Sequence, residues 1–170
     1  MHATVIEFLE QVKQKSPSHF DSGSVVLEFG SRNINGTPRP LFTNPAKYVG
    51  VDCHDGAGVD WVGICHEYEG LEDGSCDVVV TTEMFEHDPY VKQTVASAFS
   101  KLRSGGLFVG TCAGRLRGAH HLEDSPTPGY YGGVDPEDIE QAMVDAGEWS
   151  EIDARFDRGK LDTVFYAVKA

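Results

Sequence analysis

The sequence predicts an α/β domain, a mostly parallel sheet with helices on both faces, closed by an antiparallel hairpin. Three observations predict it. Short β-branched runs alternate with segments of helical spacing, the pattern of parallel strands joined by helical crossovers. The runs are apolar throughout instead of alternating, which suits strands buried on both faces. The last two runs have no helix between them, as in a hairpin.

The elements follow in order. Val5, Leu9 and Val12 line one face of a helix over about 3–15, and Pro17 stops it. Val25 to Phe29 is the first strand. Thr37 followed by Pro38 reads as an N-cap with proline at the first helical position, so a short helix carries Leu41 and Phe42. Strands two to four are Tyr48-Val-Gly-Val-Asp52, Val59-Asp-Trp-Val-Gly-Ile64 and Asp77-Val-Val-Val-Thr-Thr82. Asp88-Pro89 starts a helix with Val91, Val95, Ala98, Phe99 and Leu102 at helical spacing, and Ser104-Gly-Gly106 ends it. Leu107 to Thr111 is strand five. Residues 114–134 lack periodicity, and so long a loop is usually functional or mobile. Asp135-Pro136-Glu137-Asp138 opens another helix, with acids at its positive end, and Gly147 stops it. Ile152–Phe156 and Thr163–Val168 are joined through Asp157-Arg-Gly-Lys160 as the hairpin.

Composition narrows the function classes. The 170 residues suit one domain, with 40% hydrophobic and 24% charged residues. A formal charge of −13 repels phosphate backbones and weighs against nucleic-acid partners, although Arg115 and Arg117 lie close together. No apolar run approaches the roughly 18 residues of a membrane helix. Met1 to Glu10 carries early acids and no basic lead, so neither a signal peptide nor a membrane partner is expected. Cys53, Cys65, Cys76 and Cys112 form no C-x-x-C pair and read as separate thiols of a cytoplasmic protein. The histidines are scattered with no H-x-x-x-H, so no metal site is expected.

The most informative stretch runs from Val25 to Gly36. An apolar run breaks at Glu28 and becomes a loop containing Gly30, Ser31, Asn33, Asn35 and Gly36. Such a loop at a sheet edge can set backbone N–H groups and one carboxylate around a small polar ligand. An ordinary strand-to-helix turn has similar composition, and the residues alone leave both readings open.

Four stretches in order resemble the class I S-adenosylmethionine-dependent methyltransferases, in particular the compact group called methyltransferase domain 11. They are Leu27-Glu-Phe-Gly-Ser31, Tyr48-Val-Gly-Val-Asp52, Cys76 to His87, and Leu102-Arg-Ser-Gly-Gly-Leu-Phe108. The Glu86-His87 ending after strand four is the most diagnostic. The resemblance spans about residues 22–168. It implies a Rossmann-like seven-stranded sheet whose last strand runs antiparallel. Within a single domain over 1–170, it implies a cofactor half over about 22–87 and an acceptor half over 88–170.

The same resemblance implies S-adenosyl-L-methionine as cofactor. Glu28, Gly30, Ser31 and Gly36 fall in the loop that would cradle its methionine part. Asp52 falls where the family's ribose-binding acid sits; a solvated loop aspartate is the plainer reading. Cys53 and His54 would follow the adenine edge, Cys65 and His66 the adenine amine, and Thr82 the methyl end. Two departures stand out. Arg32 replaces the family's usual second glycine, and Ile64 stands where many relatives have an aspartate.

Methyl transfer from a sulfonium needs alignment, exclusion of water, and a base only if the acceptor holds its proton. His87 is the first candidate base, with fixing the next helix start or contacting cofactor as its structural alternative; Glu83, also placed among the catalytic candidates, could contact the cofactor's methionine part or an acceptor, or be a solvated loop acid. His120, His121, Tyr130 and Tyr131 could line an acceptor pocket. The implied activity is methyl transfer to oxygen or nitrogen of a small-molecule or sugar-like acceptor, with a homodimer as one way to complete the pocket. The alternative is a non-catalytic cofactor-binding or scaffold module. A nicotinamide oxidoreductase fits poorly, for want of a clean G-x-G-x-x-G.

Overall fold

The computed structural model describes residues 3–119, 130–157, 159 and 161–170. Seven strands form one sheet: β1 (Val25–Phe29), β2 (Lys47–Asp52), β3 (Trp61–Val62), β4 (Cys76–Thr82), β5 (Leu102–Ala113), β6 (Trp149–Asp157) and β7 (Asp162–Lys169). Their order across the sheet is β3-β2-β1-β4-β5-β7-β6. The first five pair in parallel, whereas β7 runs antiparallel to both β5 and β6. The hairpin therefore docks through its second strand, and β6 becomes the outer edge. This is the expected Rossmann-like, mostly parallel arrangement.

Helices α1 (Ala3–Lys15), α2 (Val91–Lys101) and α3 (Pro136–Ala146) cover the two faces. Strand side chains alternate between them. Val26, Val78, Val80, Leu107 and Val109 pack under Val5, Phe8, Leu9 and Val12 of α1. Leu27, Phe29, Val79, Phe108 and Phe165 pack under Val95 and Ala98 of α2 and Ile139 and Met143 of α3. Phe85, fully buried, stacks on Phe165 with centroids 5.9 Å apart, so the chain leaving β4 is anchored in this second core. No helix is long and apolar enough to cross a membrane among the described residues.

Several boundaries differ from the sequence reading for visible reasons. Strand three spans two residues, not 59–64, because the Asp60 carboxylate takes the ladder's place and accepts the Gly50 N–H at 2.7 Å. Past it, Ile64 leads into a 3-10 turn over Cys65–Glu67. The helix expected from Asp88 begins at Val91 after a 3-10 turn over Phe85–His87. Asp88 still acts at its start, accepting from Tyr90 N at 2.8 Å and from the Thr94 hydroxyl at 2.6 Å. That helix stops at Lys101, before Ser104-Gly-Gly106, because Leu102 already pairs with Cys76 at the start of β5. Thr37 does bond the Arg39 N–H at 3.2 Å, but the segment makes only a 3-10 turn over Arg39–Leu41. Asp135 and Asp138 form a full capping box for α3.

Candidate active site

The carboxyl ends of β2, β1 and β4 lie side by side, which brings Glu28, Asp52 and Thr82 onto one edge. A cavity of about 440 Å³ opens there, within the range of small-molecule sites. Its walls include Glu28, Gly30, Gly36, Asp52, Cys53, Thr82, Glu83 and His87, all expected from the sequence.

Tight chain approach makes the cavity. Gly30 has φ +76°, and a Cβ there would come within 2.6 Å of the Met84 side chain. Only glycine lets the β1 loop pass so near the β4 loop. The Gly30 and Ser31 amides both donate to the Val51 carbonyl, at 2.9 and 3.1 Å. Farther along the loop, Gly36 N donates to Asn33 Oδ1 at 2.9 Å.

Asp52 ties two loops together. Its Oδ2 accepts the Arg32 amide and its Oδ1 the His54 amide, each at 3.0 Å. A carboxylate offers about four lone-pair sites, so capacity for further donors remains. Arg32, which stands where a glycine was expected, lines the cavity alongside Ile34 and Asn35.

Glu28 is 2% exposed. Burial pushes its carboxyl up to about 7, although Tyr48 and Arg39 pull against that and Asp52 adds to it. The Arg39 Nε lies 3.7 Å from Glu28 Oε2. No local spacing in the sequence marks Arg39 or Tyr48 as partners of Glu28, because they reach it from a turn and a neighbouring strand.

Three expected residues lie outside the main cavity wall. Ser31 is 2% exposed, and a Cβ on Gly50 would fall 2.6 Å from its hydroxyl, so it sits behind β2. His66 packs edge-on against Tyr90, with centroids 5.1 Å apart. Its neighbour Cys65 does line a smaller adjoining recess with Ile64, Pro89 and Tyr90, which shares Gly30, Asp52, Cys53 and His87 with the main cavity. Burial raises both thiols, Cys53 to about 11 with help from Asp52, and Cys65 further. The Cys53 sulfur lies 3.2 Å from His54 Nδ1. One ligand atom each from Asp52, Cys53 and His54 falls within 4.8 Å of the others, a trio that histidine and cysteine spacing did not single out.

At the β4 end, Glu83 has φ +54°, an uncommon conformation for a residue with a Cβ. It accepts from the Thr111 hydroxyl at 3.1 Å and from Arg117 Nη1 at 2.6 Å. The same nitrogen reaches Asp162 Oδ1 at 2.8 Å. Burial works against the Arg117 charge, yet Glu83 and Asp162 hold its pKa above the ordinary value. The sequence showed Arg117 only as half of a basic pair; Arg115 instead binds Asp135 and Asp138, away from the cavity wall. His87 meets the Tyr131 ring edge-on at 5.6 Å. Glu86 is fully buried, and burial followed by Glu83 pushes its carboxyl up to about 8. His120 and His121 lie outside the described residues.

Comparison with known proteins agrees with this architecture. A family model described as a methyltransferase domain matches residues 36–110. No curated protein matches the sequence. Among solved structures, phosphoethanolamine N-methyltransferase 2 of Haemonchus contortus, in complex with phosphomonomethylethanolamine and S-adenosylhomocysteine, superposes with a TM-score of 0.69 at 19% identity. The match covers 96% of this chain and 52% of that one, so the present chain spans about half its length. A methyltransferase from Archaeoglobus fulgidus gives 0.64 at 15% identity, covering 96% and 94%. A Haloferax volcanii methyltransferase in complex with the Trm112 activator gives 0.63 at 15%, covering 96% and 92%. The fold is the class I methyltransferase fold.

Proposed function

We propose that this chain transfers a methyl group from S-adenosylmethionine to oxygen or nitrogen of a small acceptor. One observation carries the reading: Glu28 and Asp52, on neighbouring strands, open into one cavity whose third side is the Thr82–His87 segment. Two acids so placed suit a ligand with an ammonium at one end and a diol at the other.

The roles follow from position. The Asp52 carboxylate accepts ribose hydroxyls with the lone pairs its amide bonds leave. Glu28, at the other end of the cavity edge, receives the methionine ammonium. The recess of Ile64, Cys65 and Tyr90 takes the adenine face. Bound there, the sulfonium supplies a methyl group already activated by positive charge. Thr82, Glu83 and His87 face the acceptor, and His87 takes a proton where the acceptor must shed one. Phe85, fixed in the core, holds this segment in place while the reacting atoms align.

Arg32 favours a second reading, a module that binds the ligand without turnover, since its side chain lines the cavity where the resemblance implies a glycine. Titration calorimetry with S-adenosylmethionine, S-adenosylhomocysteine and NAD tests both. Binding of the two sulfur ligands and not NAD is expected. Binding of neither sulfur ligand rejects the proposal, and binding without any methyl transfer favours the module.

A further inference from the structure

Behind Glu83 and Arg117, which line the cavity, a second acid joins the pair. Glu83 and Asp162 lean on the same guanidinium nitrogen of Arg117, at 2.6 and 2.8 Å. The three side chains are 17%, 23% and 18% exposed, so all are largely withdrawn from water. Two carboxylates against one guanidinium leave one negative charge among the described residues. Uncompensated charge in such surroundings is costly and attracts a cation. An anionic ligand would have to displace Glu83 or Asp162 to reach Arg117.

Two further observations point the same way. The negative charge of Glu83 reaches Glu86, whose carboxyl it helps burial to keep protonated. Glu86 is fully buried, and neither carboxyl oxygen has a hydrogen-bond partner among the described residues. In the same cavity wall stands His87, whose ring meets that of Tyr131 edge to face at 5.6 Å. A carboxylate that shares a cavity wall with an aromatic ring pair makes a receptor for an organic cation.

We propose that the acceptor is a small amine, received as its ammonium ion between Glu83 and the His87–Tyr131 ring pair; this rests on the methyl-transfer reading above. An ammonium has no lone pair, so it first gives a proton to the His87 imidazole. The freed lone pair then forms the N–C bond while the C–S bond breaks, and that bond's electrons stay on sulfur as a neutral thioether. The product is an N-methylammonium, carrying the positive charge the sulfonium loses. A neutral alcohol gains nothing from the excess negative charge, and a carboxylate or phosphate is repelled by it.

The test uses protein saturated with S-adenosylhomocysteine, whose sulfur is uncharged and so does not bias the result. Benzylamine, benzyl alcohol and benzoate are titrated in turn. Benzylamine is expected to bind about tenfold tighter than the alcohol, from one charge-assisted bond, and benzoate weakest. Glu83→Gln and Asp162→Asn should each narrow the gap, with melting temperatures recorded to confirm folding. Equal binding, preference for alcohol or benzoate, or no binding of benzylamine overturns the proposal. Failure of S-adenosylhomocysteine itself to bind overturns the methyl-transfer reading instead, and the same three probes on the unliganded protein still read the charge preference.

Discussion

Tyr48 donates its phenolic hydrogen to Glu28 Oε2 across 2.9 Å, from β2 to β1. Val26 pairs with Tyr48 in the ladder, so Tyr48 stands one same-face position before Glu28 and leans toward it. The bond holds a buried acid at the cavity wall whose carboxyl lies at about 7.

That value predicts a pH dependence of ligand binding. If Glu28 receives the methionine ammonium, its ionised form is the binding form. Affinity for S-adenosylmethionine should then rise as pH passes upward through about 7, by at most about tenfold per pH unit. Glu28→Gln should flatten the profile. Calorimetry between mildly acidic and neutral pH checks it, and an unchanged slope in the variant removes Glu28 from the ammonium's site.

Folding stability without ligand should move the opposite way. Burial raises the Glu28 and Glu86 carboxyls to about 7 and about 8, above the ordinary glutamate value. Between those limits the folded state holds more protons than the unfolded one, so stability falls as pH rises. Below them both states are protonated and the effect vanishes. Thermal melts of the wild type should fall from about pH 5 to pH 8, and less steeply in Glu86→Gln.

Asp52→Ala should weaken S-adenosylmethionine binding by about 1–3 kcal/mol, the range for hydrogen bonds to a charged group. Part of that loss comes from the Arg32 and His54 amides, which lose their shared acceptor. Unchanged affinity by calorimetry would reject the ribose placement.

His87→Ala should leave S-adenosylhomocysteine binding largely intact and lower the turnover number by about 10²–10⁴-fold. A collapse of affinity instead would assign the imidazole to holding the ligand.

Phe85→Ala should cost about 3–5 kcal/mol in denaturant unfolding, as for other large core aromatics. Because Phe85 fixes the segment between Glu83 and His87, activity should fall even where the protein stays folded. A loss under 1 kcal/mol would mean the turn is held by its backbone bonds, such as His87 N to Met84 O.

The sequence by itself determined which strands end at one edge of the sheet and what gathers there. Burial on both faces demands unbroken apolar runs, and those runs end at Glu28, Asp52 and Thr82; strands of a parallel sheet end together, so the residues after them meet. Tertiary structure alone decided the rest. The sequence showed Arg117 as part of a basic pair, and only the β5–β7 pairing set it between Glu83 and Asp162, more than thirty residues away on either side. Ser31 lay in the expected loop yet turned behind β2, since the Gly30 and Ser31 amides both seek the Val51 carbonyl. Strand three shrank because the Asp60 side chain, not a backbone carbonyl, satisfied Gly50. Local pattern fixes which backbone groups need partners, whereas the partners that side chains find depend on which distant segments the sheet brings within a few ångströms.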